Sequence, residues 1–108
     1  MIGQTEEICP ADRKMYALRD VTGTVASIPL ICGSIMSKKI AEGIEGLVMD
    51  IKIGNGAFMK TIQEGKELAA LIRDIGENFN VKSDIVFTSM DQPLGRYAGL
   101  WCEIKEAI

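Results

Sequence analysis

The run Gly46-Leu47-Val48-Met49-Asp50-Ile51-Lys52-Ile53 constrains this chain more than any other stretch. It is short, mostly apolar and bounded by glycines, the pattern of a strand covered on both faces in a parallel sheet. Gly54-Asn55-Gly56 follows as a tight turn. Thr61 stands three residues before Glu64, the spacing of a capping box, in which each side chain satisfies the other residue's backbone N–H at a helix start. Ile62, Leu68, Leu71, Ile72, Ile75 and Phe79 form an apolar stripe on a helix from 62 to about 78. A second strand is expected from Ser83 to Thr88. Strand, helix and strand at this spacing predict parallel strands and a right-handed crossover, because a helix packed on the sheet returns the chain in the same direction.

Helices are expected upstream. In residues 9 to 18, Pro10 sits where a helix start tolerates a missing N–H, and Met15, Tyr16 and Leu18 supply a small apolar face. Gly23 and Thr24 interrupt. Ser27-Ile28-Pro29 has the form of an N-cap followed by an early helical proline, and Leu30, Ile31, Ile35, Met36 and Ile40 recur at helical spacing. This predicts a helix from about Ser27 to Glu42, ended by Gly43. Downstream, Pro93 and Gly95 mark a turn, Ala98 to Ile104 is expected as a third strand, and Glu103 to Ile108 reads as the first turn of a helix. Met1 to Thr5 reads as the tail of a strand. The fold class is α/β: a helical segment followed by a parallel β-α-β portion.

Composition excludes several classes of function. With 108 residues, 47% hydrophobic and 25% charged, the chain fits one soluble globular domain or a piece of one. Its net charge is −3 and its twelve Lys and Arg are scattered, so it carries no electrostatic footprint for nucleic acid or an anionic membrane. The apolar stretches are broken well before the ~20 residues a membrane helix needs. Cys9, Cys32 and Cys102 lie far apart, and no histidine is present to complete a zinc or Cys-His site. A reduced, cytoplasmic setting fits that cysteine usage. No repeat is visible at a period of 20 to 50 residues.

Three features carry possible chemistry. Gly54-Asn55-Gly56 lies at the carboxyl end of the first strand, where open α/β sheets bind ligands, but it lacks the third glycine of a dinucleotide fingerprint and the ending of a P-loop. Service to the turn is the plainer account. Ser34 and Lys38 stand four apart on the second helix, so they project from one face. Two readings stay open there: a grip on a polar ligand, or lysines that favour the helix C-terminus beside an incidental serine. Arg19-Asp20 reads by itself as a local ion pair near a loop.

The wording of the sequence adds to this. Tyr16-Ala17-Leu18-Arg19-Asp20-Val21-Thr22-Gly23-Thr24-Val25, Ser27-Ile28-Pro29-Leu30 and Ser34-Ile35-Met36-Ser37-Lys38-Lys39 closely resemble the signature stretch of the thymidine and pyrimidine nucleoside phosphorylases. The resemblance continues through Val48-Met49-Asp50-Ile51-Lys52, Gly54-Asn55-Gly56-Ala57-Phe58-Met59 and Met90-Asp91-Gln92-Pro93-Leu94-Gly95-Arg96, covering essentially the whole chain.

Members of that family are longer homodimers with a small helical domain and a large α/β domain. The resemblance therefore implies an internal segment. Residues 1–10 would end an α/β-domain strand and its connection, 11–42 would belong to the helical, base-binding domain, and 43–108 to the α/β domain. The family's reaction is reversible phosphorolysis of a pyrimidine nucleoside to the free base and a pentose 1-phosphate. By resemblance Arg19, Ser34 and Lys38 bind the pyrimidine base, and Arg19 and Lys38 act in catalysis by stabilising the charge of the departing base. Phosphate is the co-substrate and no cofactor is required. The family's phosphate loops and its histidine precede the matched region, so this segment alone is expected to be inactive.

A structural cation is bound in some members through residues matching Leu94, Tyr97 and Glu106; no bound metal is the default here. Trp101-Cys102 departs from the family pattern at that point. The implied partners are a pyrimidine nucleoside or base, the remainder of the enzyme, and a second copy of it. Neither nucleic acid nor a membrane is among them. The alternative is a non-catalytic remnant that serves as a binding or dimerisation module.

Overall fold

The computed structural model describes residues 7–108, so the strand tail expected at Met1 to Thr5 lies outside the described residues. The elements run α1 (Pro10–Thr22), α2 (Ile28–Ala41), β1 (Gly46–Ile53), α3 (Ile62–Asn78), β2 (Lys82–Ser89) and α4 (Leu100–Ala107). Among the described residues the sheet has two strands, paired in parallel with Gly46 opposite Lys82 and Ile53 opposite Ser89. The chain is thus an α/β protein with its helical part first and a β-α-β unit after it, as the sequence pattern predicts.

The crossover helix α3 begins where the capping box places it. Glu64 N donates to Thr61 Oγ1 at 3.3 Å, while the Glu64 carboxylate accepts from the N–H groups of Thr61 at 3.1 Å and Lys60 at 2.6 Å. Backbone donors that a helix start leaves without partners are thereby satisfied. Gly65 lets α3 settle closely on the sheet. A Cβ at that position would lie 2.4 Å from Ile53 Cδ1 and 3.2 Å from the Phe87 ring, so a larger residue there would require the Ile53 side chain to shift.

The core gathers Cys32 and Met36 from α2, Ile51 from β1, Met59 from the following loop, and Leu68, Ala69 and Ile72 from α3. Leu47, Met49 and Ile53 pack against it from β1, and Ile85 from β2. The expectation that β1 would be covered on both faces does not hold among the described residues. Its side chains alternate, and Val48 on the outer face is 73% exposed. The outer face also carries Asp50 and Lys52, whose side chains bond to each other at 2.7 Å and to Thr88 of β2 at 2.6 and 3.0 Å.

Two further boundaries differ from the sequence reading. Helix α1 runs four residues past Leu18, to Thr22, and so takes Arg19 into the helix. The strand expected from Ala98 to Ile104 is instead α4. Short apolar runs satisfy both periods, and here the acidic residues decide. Glu103 Oε1 accepts from Gly99 N at 2.7 Å at the helix start, and the Glu106 carboxylate accepts from Arg96 N at 2.8 Å. No described helix is long and apolar enough to cross a membrane.

Ile72 is fully buried between α2 and the sheet. Ile72→Ala is expected to lower the unfolding free energy by about 2–5 kcal/mol, measured by urea denaturation followed by circular dichroism.

Candidate functional site

The buried residues of α1 are charged. Asp12 and Arg19, seven apart and so on one face two turns apart, are 4% and 5% exposed, whereas Met15, Tyr16 and Leu18 face outward. The apolar face expected for this helix is therefore reversed. The reason lies in the surface it meets, since α2 turns Ser34 and Lys38 toward it. Lys38 Nζ donates to Asp12 Oδ2 at 2.6 Å and to Ser34 Oγ at 2.8 Å. An ammonium aimed at an apolar helix face would be left without a counter-charge, so the contact selects a carboxylate.

Arg19 takes a different path. Its Nη1 donates to the Leu30 carbonyl at 3.2 Å and its Nη2 to the Val25 carbonyl, while the Tyr16 ring lies 5.0 Å from the guanidinium carbon. These bonds tie the end of α1 to the connection and first turn of α2. A solvated pair with Asp20 is not what this arginine forms, because it is buried. Its Nε is buried without a hydrogen-bond partner among the described residues.

The electrostatics of the cluster centre on Asp12. Burial works to raise its pKa, but hydrogen bonds from Lys38 and Ser34, joined by the charges of Lys38 and Arg19, outweigh burial and hold the carboxyl below its ordinary value near 3.8. Asp12 is thus ionised at neutral pH, and the cluster holds two cations and one carboxylate. Of the three site residues expected from the sequence, Ser34 and Lys38 meet directly; Arg19 joins them through the field it exerts on Asp12. Asp12 itself was not legible. An acidic residue in the first turn of a helix is accounted for by the helix dipole alone, and only its spacing from Arg19 hints at a shared face.

The other candidates fall differently. Gly54 adopts φ 126°, and a Cβ there would lie 2.4 Å from Asp91 Oδ1. Asn55 N donates to that same oxygen at 2.9 Å and Gly56 N to the Met90 carbonyl at 2.9 Å. The glycine turn therefore clamps the segment after β2, and these N–H groups are already taken. Glu106 accepts from the N–H groups of both Arg96 and Tyr97, which brings Tyr97 and Glu106 together, while the Leu94 side chain stands fully exposed. No group of three or more His, Cys, Asp or Glu among the described residues could hold a metal ion.

Burial, with the charge of Asp74 adding to it, pushes the Cys32 thiol up, so this cysteine is a protonated core side chain rather than a nucleophile. A broad hollow of about 1020 Å³ lies between Lys52, Gln92, Leu94 and α4, and an apolar one of about 260 Å³ lies between Ile31, Ile35, Phe58 and Leu68. Neither is lined by Arg19, Ser34 or Lys38. What marks Ser34 and Lys38 as a candidate site is their direct contact with each other and with buried Asp12.

The chain belongs to the glycosyl transferase family, a/b domain, whose match spans residues 1–108. It is 55% identical over 108 residues to the pyrimidine-nucleoside phosphorylase of Staphylococcus haemolyticus (strain JCSC1435). It is 52% identical over 108 residues to the pyrimidine-nucleoside phosphorylase of Staphylococcus aureus (strain USA300). All of this chain is covered in both comparisons, and it spans 25% of the length of these relatives. The resemblance read from the sequence is borne out.

The lowered pKa of Asp12 has a consequence for stability. A carboxyl that titrates lower in the folded than in the unfolded state stabilises fully above the unfolded value and loses that contribution as pH falls through the folded one. Unfolding free energy measured between pH 7 and pH 2 is therefore expected to drop below about pH 4 more steeply for the wild type than for Asp12→Asn, with the two curves drawing together in acid.

Proposed function

We propose that this chain supplies the base grip of a pyrimidine-nucleoside phosphorylase. In the reaction a phosphate oxygen forms a bond to C1′ of the nucleoside as the C1′–N bond to the base breaks. The electron pair of that bond leaves with the pyrimidine, whose ring nitrogen and carbonyl oxygens take up negative charge. Groups that meet this charge only as it develops lower the barrier more than groups that bind the intact nucleoside equally well.

The observation that carries the reading is the convergence of Lys38 Nζ and Ser34 Oγ at 2.8 Å on one face of α2, in a chain whose relatives bear the name pyrimidine-nucleoside phosphorylase. Lys38 has three N–H donors, and Asp12 and Ser34 engage two. Its side chain is 29% exposed, so the third is free to reach a carbonyl oxygen of the base. Arg19 adds charge, and the carbonyls of Leu30 and Val25 engage two of its five N–H donors. A unit charge about 4 Å from the departing base, at the effective dielectric of a partly buried site, contributes about 4 kcal/mol. That is enough for a rate effect on the order of a thousandfold. The cation suggested by Leu94, Tyr97 and Glu106 has no step in this scheme.

This segment alone is expected to be inactive, whereas the complete enzyme that contains it is expected to release uracil from uridine, or thymine from thymidine, only when inorganic phosphate is present, followed by the change in ultraviolet absorbance. Lys38→Ala should lower kcat/KM by roughly a hundred- to a thousandfold per folded molecule. Its melting temperature should fall as well, because Asp12 loses its partner. Release of base independent of phosphate would overturn phosphorolysis, and kinetics unchanged by the substitution would remove Lys38 from the site.

A further inference from the structure

The contact between α1 and α2 contains a group that base recognition itself does not call for. Asp12 is a buried carboxylate that touches the base-gripping pair from a different helix, 26 residues away in sequence. Resting on the base-gripping reading above, we infer that Asp12 is a positioning residue for base departure. It fixes the Lys38 ammonium against Ser34 and sets the charge of the site to match one leaving anion.

The first argument is conformational. A lysine side chain carries about 2 kcal/mol of rotamer entropy, and an ammonium that must find its place in the transition state loses that freedom there. Bonds of 2.6 Å to Asp12 and 2.8 Å to Ser34 hold Lys38 Nζ before any ligand arrives. Immobilisation completed in the free protein leaves less to be ordered during the reaction. Neither α2 nor Ser34 could achieve this alone, since a serine at i−4 offers one neutral oxygen, and the second anchor must come from another element. Asp12 on α1 is that anchor.

The second argument is charge. The groups that act on Asp12 are Lys38, Ser34 and Arg19. Two cations and one carboxylate leave a single positive charge, the complement of a base that departs with a single negative one. With an amide in place of the carboxylate, the half-buried Lys38 ammonium would lose its counter-charge, and the lysine would be free to swing toward solvent. A structural ion pair and a positioning carboxylate differ in what they predict. The first affects how much protein is folded; the second affects turnover of folded protein and little of nucleoside binding, because the aligned ammonium matters most when charge develops.

The test is steady-state phosphorolysis of uridine with inorganic phosphate by the complete enzyme that contains this segment and its Asp12→Asn and Asp12→Glu variants, at a temperature where circular dichroism shows each folded. Asp12→Asn is expected to lower kcat by roughly ten- to a hundredfold while KM for uridine stays within about threefold. Asp12→Glu keeps the charge one methylene displaced, and its kcat should fall between the two. If Asp12→Asn does not fold, a kcat for Asp12→Glu several times below wild type sustains the inference and an unchanged one overturns it. An Asp12→Asn variant that turns over like wild type and only melts lower would show a purely structural ion pair. A complete wild-type enzyme without phosphorolysis fails the base-gripping reading and takes this inference with it, whereas an active wild type with an unaffected amide variant sinks the role of Asp12 alone.

Discussion

Two parallel strands cannot be joined by a tight turn, and that constraint organises this protein. β1 and β2 run side by side in one direction, so the chain between them must travel back along the sheet, and α3 is the return path. A helix in that position has to bury a face. Leu68, Ala69 and Ile72 do so against Ile51 on one side and Cys32 and Met36 of α2 on the other. α2 is held in place by this core, and α1 is held by α2. The charged cluster sits at the last of these contacts, one layer removed from the sheet.

The position of the cluster explains its unusual makeup. An apolar seam between α1 and α2 would hold the helices together as well or better, since replacing a buried ion pair by packed hydrophobic groups is often neutral or favourable. Instead the seam carries Asp12, Lys38, Ser34 and Arg19, all buried or half-buried. The apolar residues of α1 lie outside, with Leu18 62% exposed. Buried, perturbed carboxyls of this kind mark candidate sites.

Much of the fold was legible because it rests on local chemistry. The capping box at Thr61 and Glu64, the stripe from Leu68 to Ile75 and the run from Gly46 to Ile53 each depend on neighbours within a turn or on a simple period. The segment from Ala98 was misread for the opposite reason. Its apolar residues fit either period, and the side chains that settle it, Glu103 and Glu106, act by bonding backwards to Gly99 and Arg96. Among the described residues the outer face of β1 stands exposed, and the alternation of Val48, Asp50 and Lys52 with the core side chains signalled that weakly.

By itself the sequence determined the order of the elements, the parallel pairing, the family, and the placement of Ser34 and Lys38 on one helical face. All of these follow from spacing within single elements or from the wording of contiguous stretches. Only the tertiary structure decided that Asp12 closes on Lys38 at 2.6 Å and that Arg19 turns to the carbonyls of Val25 and Leu30. Those contacts join separate helices, and the angle and register at which two helices meet are set by packing onto a third element, which no period within either helix encodes.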